Sequence, residues 1–184
     1  MTTNDDGART QYLSFSLRET EYAVGILKVK EILQFEQTTR VPSTPRSVRG
    51  VINLRGQVVP VIDLASKFGL GETAPTRLTC ILIVEALLEG TPTVVGVLAD
   101  SVQEVIELGE GDVEPAPAFG TQVKVDFLVG VGKIGRRFVL LLDLDRVVSA
   151  DEREFARELA APELAAPELA PTTPEPRPVE PAPA

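Results

Sequence analysis

The chain has 184 residues, 43% of them hydrophobic and 24% charged, with a formal net charge of −9. That size and composition suit one compact domain or two small subdomains sharing a core, and the acidic balance argues against a nucleic-acid partner or a polybasic membrane patch. Histidine is absent and Cys80 is the single cysteine, which removes the commonest general base, the commonest metal ligand and any intrachain disulfide.

Residues 1–10, "MTTNDDGART", are polar and acidic and read as a disordered arm without the apolar stretch of a signal peptide. No run approaches the roughly twenty apolar residues of a membrane span, so no direct membrane insertion is expected. A lone thiol fits a reducing compartment. From Tyr12, "YLSFSL" alternates large apolar residues with serine, as a half-buried strand does. "RETE" is a polar turn and "YAVGI" continues beyond it, which makes a hairpin. "LKVKEILQF" fits either a helical turn or a strand. "VPSTPRSVRG" is a connection, since it holds two prolines and a glycine.

"VINL" and "QVVPVIDL" are strand runs around a tight turn at Arg55 and Gly56, with Pro60 expected at an edge or bulge. "DLASKFGL" is a short helix with Asp63 at its start and Gly69 as its stop. Further β-rich runs follow, giving nine or ten short strands with almost no long helix before residue 150. That pattern indicates an all-β protein built of closed barrels or a sandwich, here read as two small barrels divided near residue 66. "SADEREFARELA" has Ser149 as cap, early acids and Phe155 and Leu159 at i, i+4, which predicts a terminal helix ending over 153–160. "AAPEL" occurs twice, at 160–164 and 165–169, and residues 161–184 are Pro/Ala/Glu-rich, a composition that reads as an extended, solvated tail.

"GVGKIG", Gly130 to Gly135, matches a dinucleotide-binding spacing, but a strand follows where that motif requires a helix. A hairpin whose glycines supply positive φ is the reading that fits. Asp63, Asp100, Asp126, Asp143 and Asp145 punctuate apolar runs as turn and cap residues do, without the bracketing of a hydrolase pair. Cys80 lies in "LTCILIV" and reads as an inert core thiol. Phe119, in the loop "VEPAPAFGTQ", is either a local plug or an exposed interaction anchor. Arg55 lacks the basic company of a nucleic-acid contact and the base of a catalytic site. A turn arginine paired with a nearby carboxylate or free carbonyls is the simpler reading. Taken alone, these residues give two small barrels, no visible catalytic set and a binding module; a carboxylate enzyme and a small-ligand barrel are the competing classes.

The blocks "YLSFSL…EYAVGILKVKEIL", "TRVPSTPRSVRGVINLRGQVVPVIDLASKFGL", "VVGVLADSVQEVIEL", "VEPAPAF" and "FLVGVGKIGRRFVLLLDLDRVV" resemble, in order, the CheW family of bacterial chemotaxis adaptors over residues 11–152. The resemblance implies two intertwined SH3-like five-stranded β-barrels with short helices and a C-terminal helix, no enzymatic activity and no cofactor. It implies two partners, the regulatory domain of a CheA-type histidine kinase and the cytoplasmic tip of methyl-accepting chemotaxis receptors. The location implied is cytoplasmic, with recruitment to the inner face of the membrane through receptor arrays. By motif, Val29, Glu31, Ile32, Gly50 and Val105 correspond to a receptor-binding groove between the barrels. Phe119 corresponds to a kinase-binding anchor and Arg55 to a structural brace of groove and turn. Glu114 and Ala118 depart from the family's "RPAPEF" loop, and residues 85–92 are longer than a minimal family hairpin. A CheW-like scaffold serving a CheA-type kinase in a non-chemotactic motility or developmental pathway is the alternative.

Overall fold

The computed structural model describes residues 8–118 and 123–160. β1 (Thr10–Leu17) and β2 (Thr20–Gly25) form the first hairpin, and a 3-10 turn at Ile26–Lys28 leads into β3 (Val29–Gln34). The ambiguous "LKVKEILQF" therefore holds both elements in succession. β4 (Val48–Leu54) and β5 (Gln57–Asp63) follow, then the short α1 (Leu64–Lys67). β6 (Cys80–Leu88), β7 (Thr91–Ala99), β8 (Ser101–Leu108) and the two-residue β9 (Val113–Glu114) come next. β10 (Leu128–Ile134), β11 (Arg137–Leu142), α2 (Leu144–Val147) and α3 (Ala150–Ala160) complete the described chain.

The strands form two sheets, in the orders β8-β1-β2-β11-β10-β9 and β3-β6-β7-β5-β4. The expected division near residue 66 is not what the chain does. The N-terminal hairpin joins the sheet made by the C-terminal strands, because β2 lies parallel to β11, with Leu140 opposite Tyr22 and Leu141 opposite Ala23. The second sheet, β3 to β7, is inserted between those two halves and has its own parallel pair, β5 with β7. Each sheet closes on itself. β8 runs through a 3-10 turn at Glu110–Asp112 into β9, which pairs with β10. Beyond β3 the backbone of Thr39 exchanges two hydrogen bonds with Val51 of β4, at 2.9 and 2.8 Å. Two five-stranded SH3-like barrels result, interleaved by the chain.

The barrels repeat one another. Val48 lies opposite Ile62 and, after a bulge, Gly50 opposite Val61; eighty residues on, Leu128 lies opposite Leu142 and Gly130 opposite Leu141. Both hairpins end in a buried or half-buried aspartate that caps a four-residue helix: Asp63 accepts from the N–H of Ser66 and Asp143 from that of Asp145. Gly50 and Gly130 are both required by close approach. A Cβ at Gly50 would sit 2.6 Å from the carbonyl oxygen of Thr39, and one at Gly130 would sit 2.6 Å from that of Glu114.

Three apolar clusters lie among the described residues. Ala23, Ile106, Leu108, Val139 and Leu141 fill the barrel built on β1 and β8, and Val61, Ile81, Ile83 and Leu98 fill the other. The largest cluster, including Phe15, Tyr22, Ile62, Leu82 and Val97, lies between the barrels. Strands that serve both a barrel interior and this shared core are buried on both faces, which is why β6 reads as a continuous apolar run. β1 behaves in the same way: Leu13, Ser14 and Phe15 are all buried, so the strand is not half-exposed as its alternation predicted.

Pro60 also departs from expectation, since β5 is a central strand. Its missing N–H costs no ladder bond. Val51 turns its polar groups to Thr39 rather than to Pro60, and pairing of β5 with β7 begins only at Val61. "GVGKIG" is a hairpin, as read, but among its glycines only Gly135 has a positive φ, at 59°; Gly132 faces Leu108 at a distance that leaves no room for a Cβ. Cys80 is half-exposed at the start of β6, its Sγ 3.2 Å from the Leu78 carbonyl, and is not a core thiol. The segment 85–92 is simply the end of the long β6–β7 hairpin, with Glu89 and Gly90 in its turn at φ 51° and 79°.

Ser149 and Glu152 form a reciprocal cap on α3: the N–H of Ser149 donates to Glu152 at 2.8 Å, and the N–H of Glu152 donates to the Ser149 hydroxyl at 3.4 Å. Glu152 is 1% exposed and also receives Lys67 at 2.8 and 2.9 Å on its two oxygens and the hydroxyl of Ser47. That buried set ties the terminal helix to α1 and to the entry of β4.

Candidate functional site

β3 and β8 occupy equivalent places at the ends of their sheets, and each carries a bulge. On β3, Val29 lies opposite Val84 and Ile32 opposite Leu82, so three residues advance against two. On β8, Val102 lies opposite Phe15 and Val105 opposite Leu13, again three against two. In an unbroken strand, residues three apart point to opposite faces. The extra residue puts Val29 and Ile32 on one face, and Val102 and Val105 on one face. Their partners Val84, Leu82, Phe15 and Leu13 all belong to the core between the barrels. The four side chains therefore turn toward the seam. Val29 and Val102 pack half-buried on the core, whereas Ile32 and Val105 remain 45% and 50% exposed.

Sequence repeats underlie this geometry: Val29-Lys30-Glu31-Ile32 on β3 and Val102-Gln103-Glu104-Val105 on β8. In each, the glutamate inside the bulge takes an arginine from the hairpin that closes its barrel. Arg55 Nη2 lies 3.2 Å from Glu31, and Arg137 Nη2 lies 2.9 Å from Glu104, with Glu21 3.5 Å from its Nη1. The hydrogen bond that Arg137 donates to Glu104, and then the charge of Glu21, push the Arg137 pKa above its ordinary value. The β8 bulge is held from beneath by Ser14, which is fully buried; its hydroxyl donates to the Glu104 carbonyl at 3.0 Å and accepts from the Glu104 N–H at 3.2 Å.

Arg55 thus occupies the turn read from its sequence. It has φ 52° and Gly56 φ 87°, a two-residue hairpin turn, and Asn53 accepts from the Gly56 N–H at 2.8 Å. Its side chain is 79% exposed. Val29, Glu31, Ile32 and Val105 are gathered at the two bulges. Gly50 is buried beneath Thr39 and presents no side chain. Phe119 lies outside the described residues. Val102, Glu104, Arg137 and Ser14 escaped sequence reasoning; the repeated Val-x-Glu-Ile/Val was the signal for the first two.

Four of the five strand-end acids act as caps and ties. Asp63 and Asp143 cap helices, Asp100 accepts from the Arg18 N–H at 2.6 Å, and Asp145 receives Lys28 at 3.1 Å and the Leu87 N–H at 2.6 Å. Apolar side chains fill both barrel interiors, where a small-ligand barrel would hold its cavity. No group of acids or cysteines among the described residues is arranged to hold a metal ion, and none of the described helices is long and apolar enough to cross a membrane.

Fused, filled barrels that present apolar side chains on bulged end strands define a protein-interaction module. The chain belongs to the CheW family: the CheW-like domain matches residues 11–152. It is 35% identical over 150 residues to the chemotaxis protein CheW of Klebsiella aerogenes, covering 82% of this chain and 88% of the relative. The chemotaxis protein CheW of Helicobacter pylori is 33% identical over 77% of this chain and 82% of its own length. The crystal structure of the scaffolding protein TtCheW from Thermoanaerobacter tengcongensis superposes with a TM-score of 0.70 at 31% identity, covering 83% of this chain and 96% of that one. The protein FrzA of Myxococcus xanthus is 27% identical over 80% of this chain and 91% of its length. The chain is a non-catalytic scaffold of the chemotaxis type.

Proposed function

We propose that this scaffold couples the cytoplasmic tip of methyl-accepting chemotaxis receptors to the regulatory domain of a CheA-type histidine kinase. Receptor contact is made along the seam between the barrels, through Val29, Ile32 and Val105, with Glu31 at the rim. Gly50 acts indirectly, by letting β4 pass under Thr39. The observation that carries this reading is the exposure of Ile32 and Val105 on a seam-facing surface that two bulges are needed to create. A receptor helix laying apolar side chains there would bury both, in the helix-in-groove manner. Arg55 braces the β3 rim through Glu31, and Phe119 anchors the kinase's regulatory domain. The scaffold works in the cytoplasm and reaches the inner face of the membrane only through the receptors it binds.

The alternative, a scaffold for a CheA-type kinase in a non-chemotactic motility or developmental pathway, would use the same surfaces. Chemotaxis is favoured because relatives at 33–35% identity are chemotaxis proteins, whereas FrzA stands at 27%. A pull-down with the regulatory domain of the CheA-type kinase of the same organism, repeated with Phe119→Ser, tests the kinase half. Binding weakened by the substitution supports the reading. Undiminished binding moves the contact elsewhere, and no binding removes the kinase as a partner.

A further inference from the structure

Three arginines, Arg40, Arg46 and Arg49, converge on a pocket of about 420 Å³ whose wall also holds Thr44, Asp63 and Glu72. Asp63 accepts from the Thr73 N–H at 2.8 Å, the Thr73 hydroxyl at 2.8 Å and the Ser66 N–H at 3.2 Å. Arg49 Nη1 forms long ion pairs with Asp63 at 3.6 Å and Glu72 at 3.7 Å, beyond hydrogen-bond range, and the nitrogen is buried with no hydrogen-bond partner. A buried guanidinium nitrogen without an acceptor is costly. Arg40 and Arg46 are exposed and make no ion pair among the described residues. In a chain of net charge −9, three guanidinium groups against two carboxylates make a local cationic excess. The forked geometry of guanidinium suits a carboxylate.

The chain carries its own carboxylates to this place. Glu154, Phe155 and Glu158 of α3 line a second cavity, of about 320 Å³, that shares Thr44 and Pro45 with the arginine pocket. α3, which forms this adjoining wall, ends at Ala160, and residues 161–184 follow it in the sequence. They bear Glu163, Glu168, Glu175 and Glu180 against one cation, Arg177. Glu163 follows Glu158 by five residues, a reach of about 16 Å when extended. Tethering at that range gives an effective concentration of the order of millimolar, which suffices for weak ion pairing. Asp151, Glu154 and Glu158 on the neighbouring wall oppose the approach of further acids, so the contact is weak and sensitive to salt.

We propose that the arginine pocket is a carboxylate-binding site occupied by the glutamates of the chain's own 161–184 segment. The test compares the full chain with a full chain carrying Glu163→Gln, Glu168→Gln, Glu175→Gln and Glu180→Gln, by NMR of the arginine Nε–H groups. The expected result is a shift of Arg40, Arg46 and Arg49 between the two chains, with Arg136 on the distant β10–β11 turn unmoved. The difference should vanish near 1 M salt, where the Debye length falls to about 3 Å. Identical arginine resonances in the two chains would overturn the proposal. So would inorganic phosphate moving the three arginines alike in both chains while the substitutions move none, because the site would then serve a free anion.

Discussion

Val105→Lys separates a seam contact from a core residue. Val105 is 50% exposed and lies opposite Leu13, whereas Val102, three residues earlier on the same face, packs half-buried on the shared core. Burying a whole valine is worth about 1.5–3 kcal/mol, so a partner that covers the remaining half gains about 1 kcal/mol. A lysine forfeits that and brings a charge that must be desolvated in an apolar contact or snorkel out of it, at a further cost of roughly 2 kcal/mol. Together these predict about a 100-fold loss of receptor affinity, at 1.4 kcal/mol per tenfold. In the free protein the lysine ammonium reaches solvent, so stability should change by less than about 1 kcal/mol. Calorimetric titration with a receptor-tip hairpin, beside circular-dichroism melting, reads both. Val102→Lys serves as the contrast and should melt far lower. Binding retained within about threefold by a folded Val105→Lys protein would refute the seam reading. A melting loss as large as that of Val102→Lys would show that Val105 belongs to the core.

Gly50→Ala drives a methyl group to 2.6 Å from the Thr39 carbonyl and should cost about 2–3 kcal/mol in a denaturant melt, while Gly111→Ala, with open space around it, should cost almost nothing. Glu152→Ala leaves Lys67, 9% exposed, without its partner and should destabilise by about 3–5 kcal/mol; Lys67→Met combined with Glu152→Leu should recover part of that loss. Burial raises the pKa of Tyr22, an effect partly offset by the hydrogen bond with Thr20. Its contribution is complete below the unfolded tyrosine value near 10 and is lost as pH climbs above it, because the unfolded state releases the proton first. Tyr22→Phe should therefore flatten the alkaline decline in melting temperature, and an unchanged decline would place its cause elsewhere.

The turn at Arg55 was legible because Asn-Leu-Arg-Gly between two apolar runs carries its own local signal. Its carboxylate partner was not, since Glu31 lies twenty-four residues away and meets Arg55 only when the barrel closes. The division near residue 66 failed for a related reason. Local patterns mark strands, but which strands pair depends on long-range closure, and here β1 pairs with β8 and β2 with the last strand, β11. The equivalence of Gly50–Leu64 with Gly130–Leu144 was open to reading in the aligned Gly, Asp and Leu positions, and it marks two barrels of one plan. Ser14 looked like the polar side of a half-buried strand. Its burial follows from the bulge on β8, whose orphaned peptide groups need a hydroxyl, and a bulge leaves little trace in a single strand's alternation. The face shared by Val29 and Ile32 was hidden for the same reason, because a residue spacing of three in a strand ordinarily separates side chains.

Bridging is the central claim, and one co-precipitation tests it directly. An immobilised receptor-tip hairpin is mixed with the kinase's regulatory domain, with and without this protein. The account predicts that the kinase domain is retained only when the scaffold is present, and that Val105→Lys in the scaffold abolishes its retention. Kinase retention that is independent of the scaffold, or a scaffold that holds either partner but never both together, would contradict it.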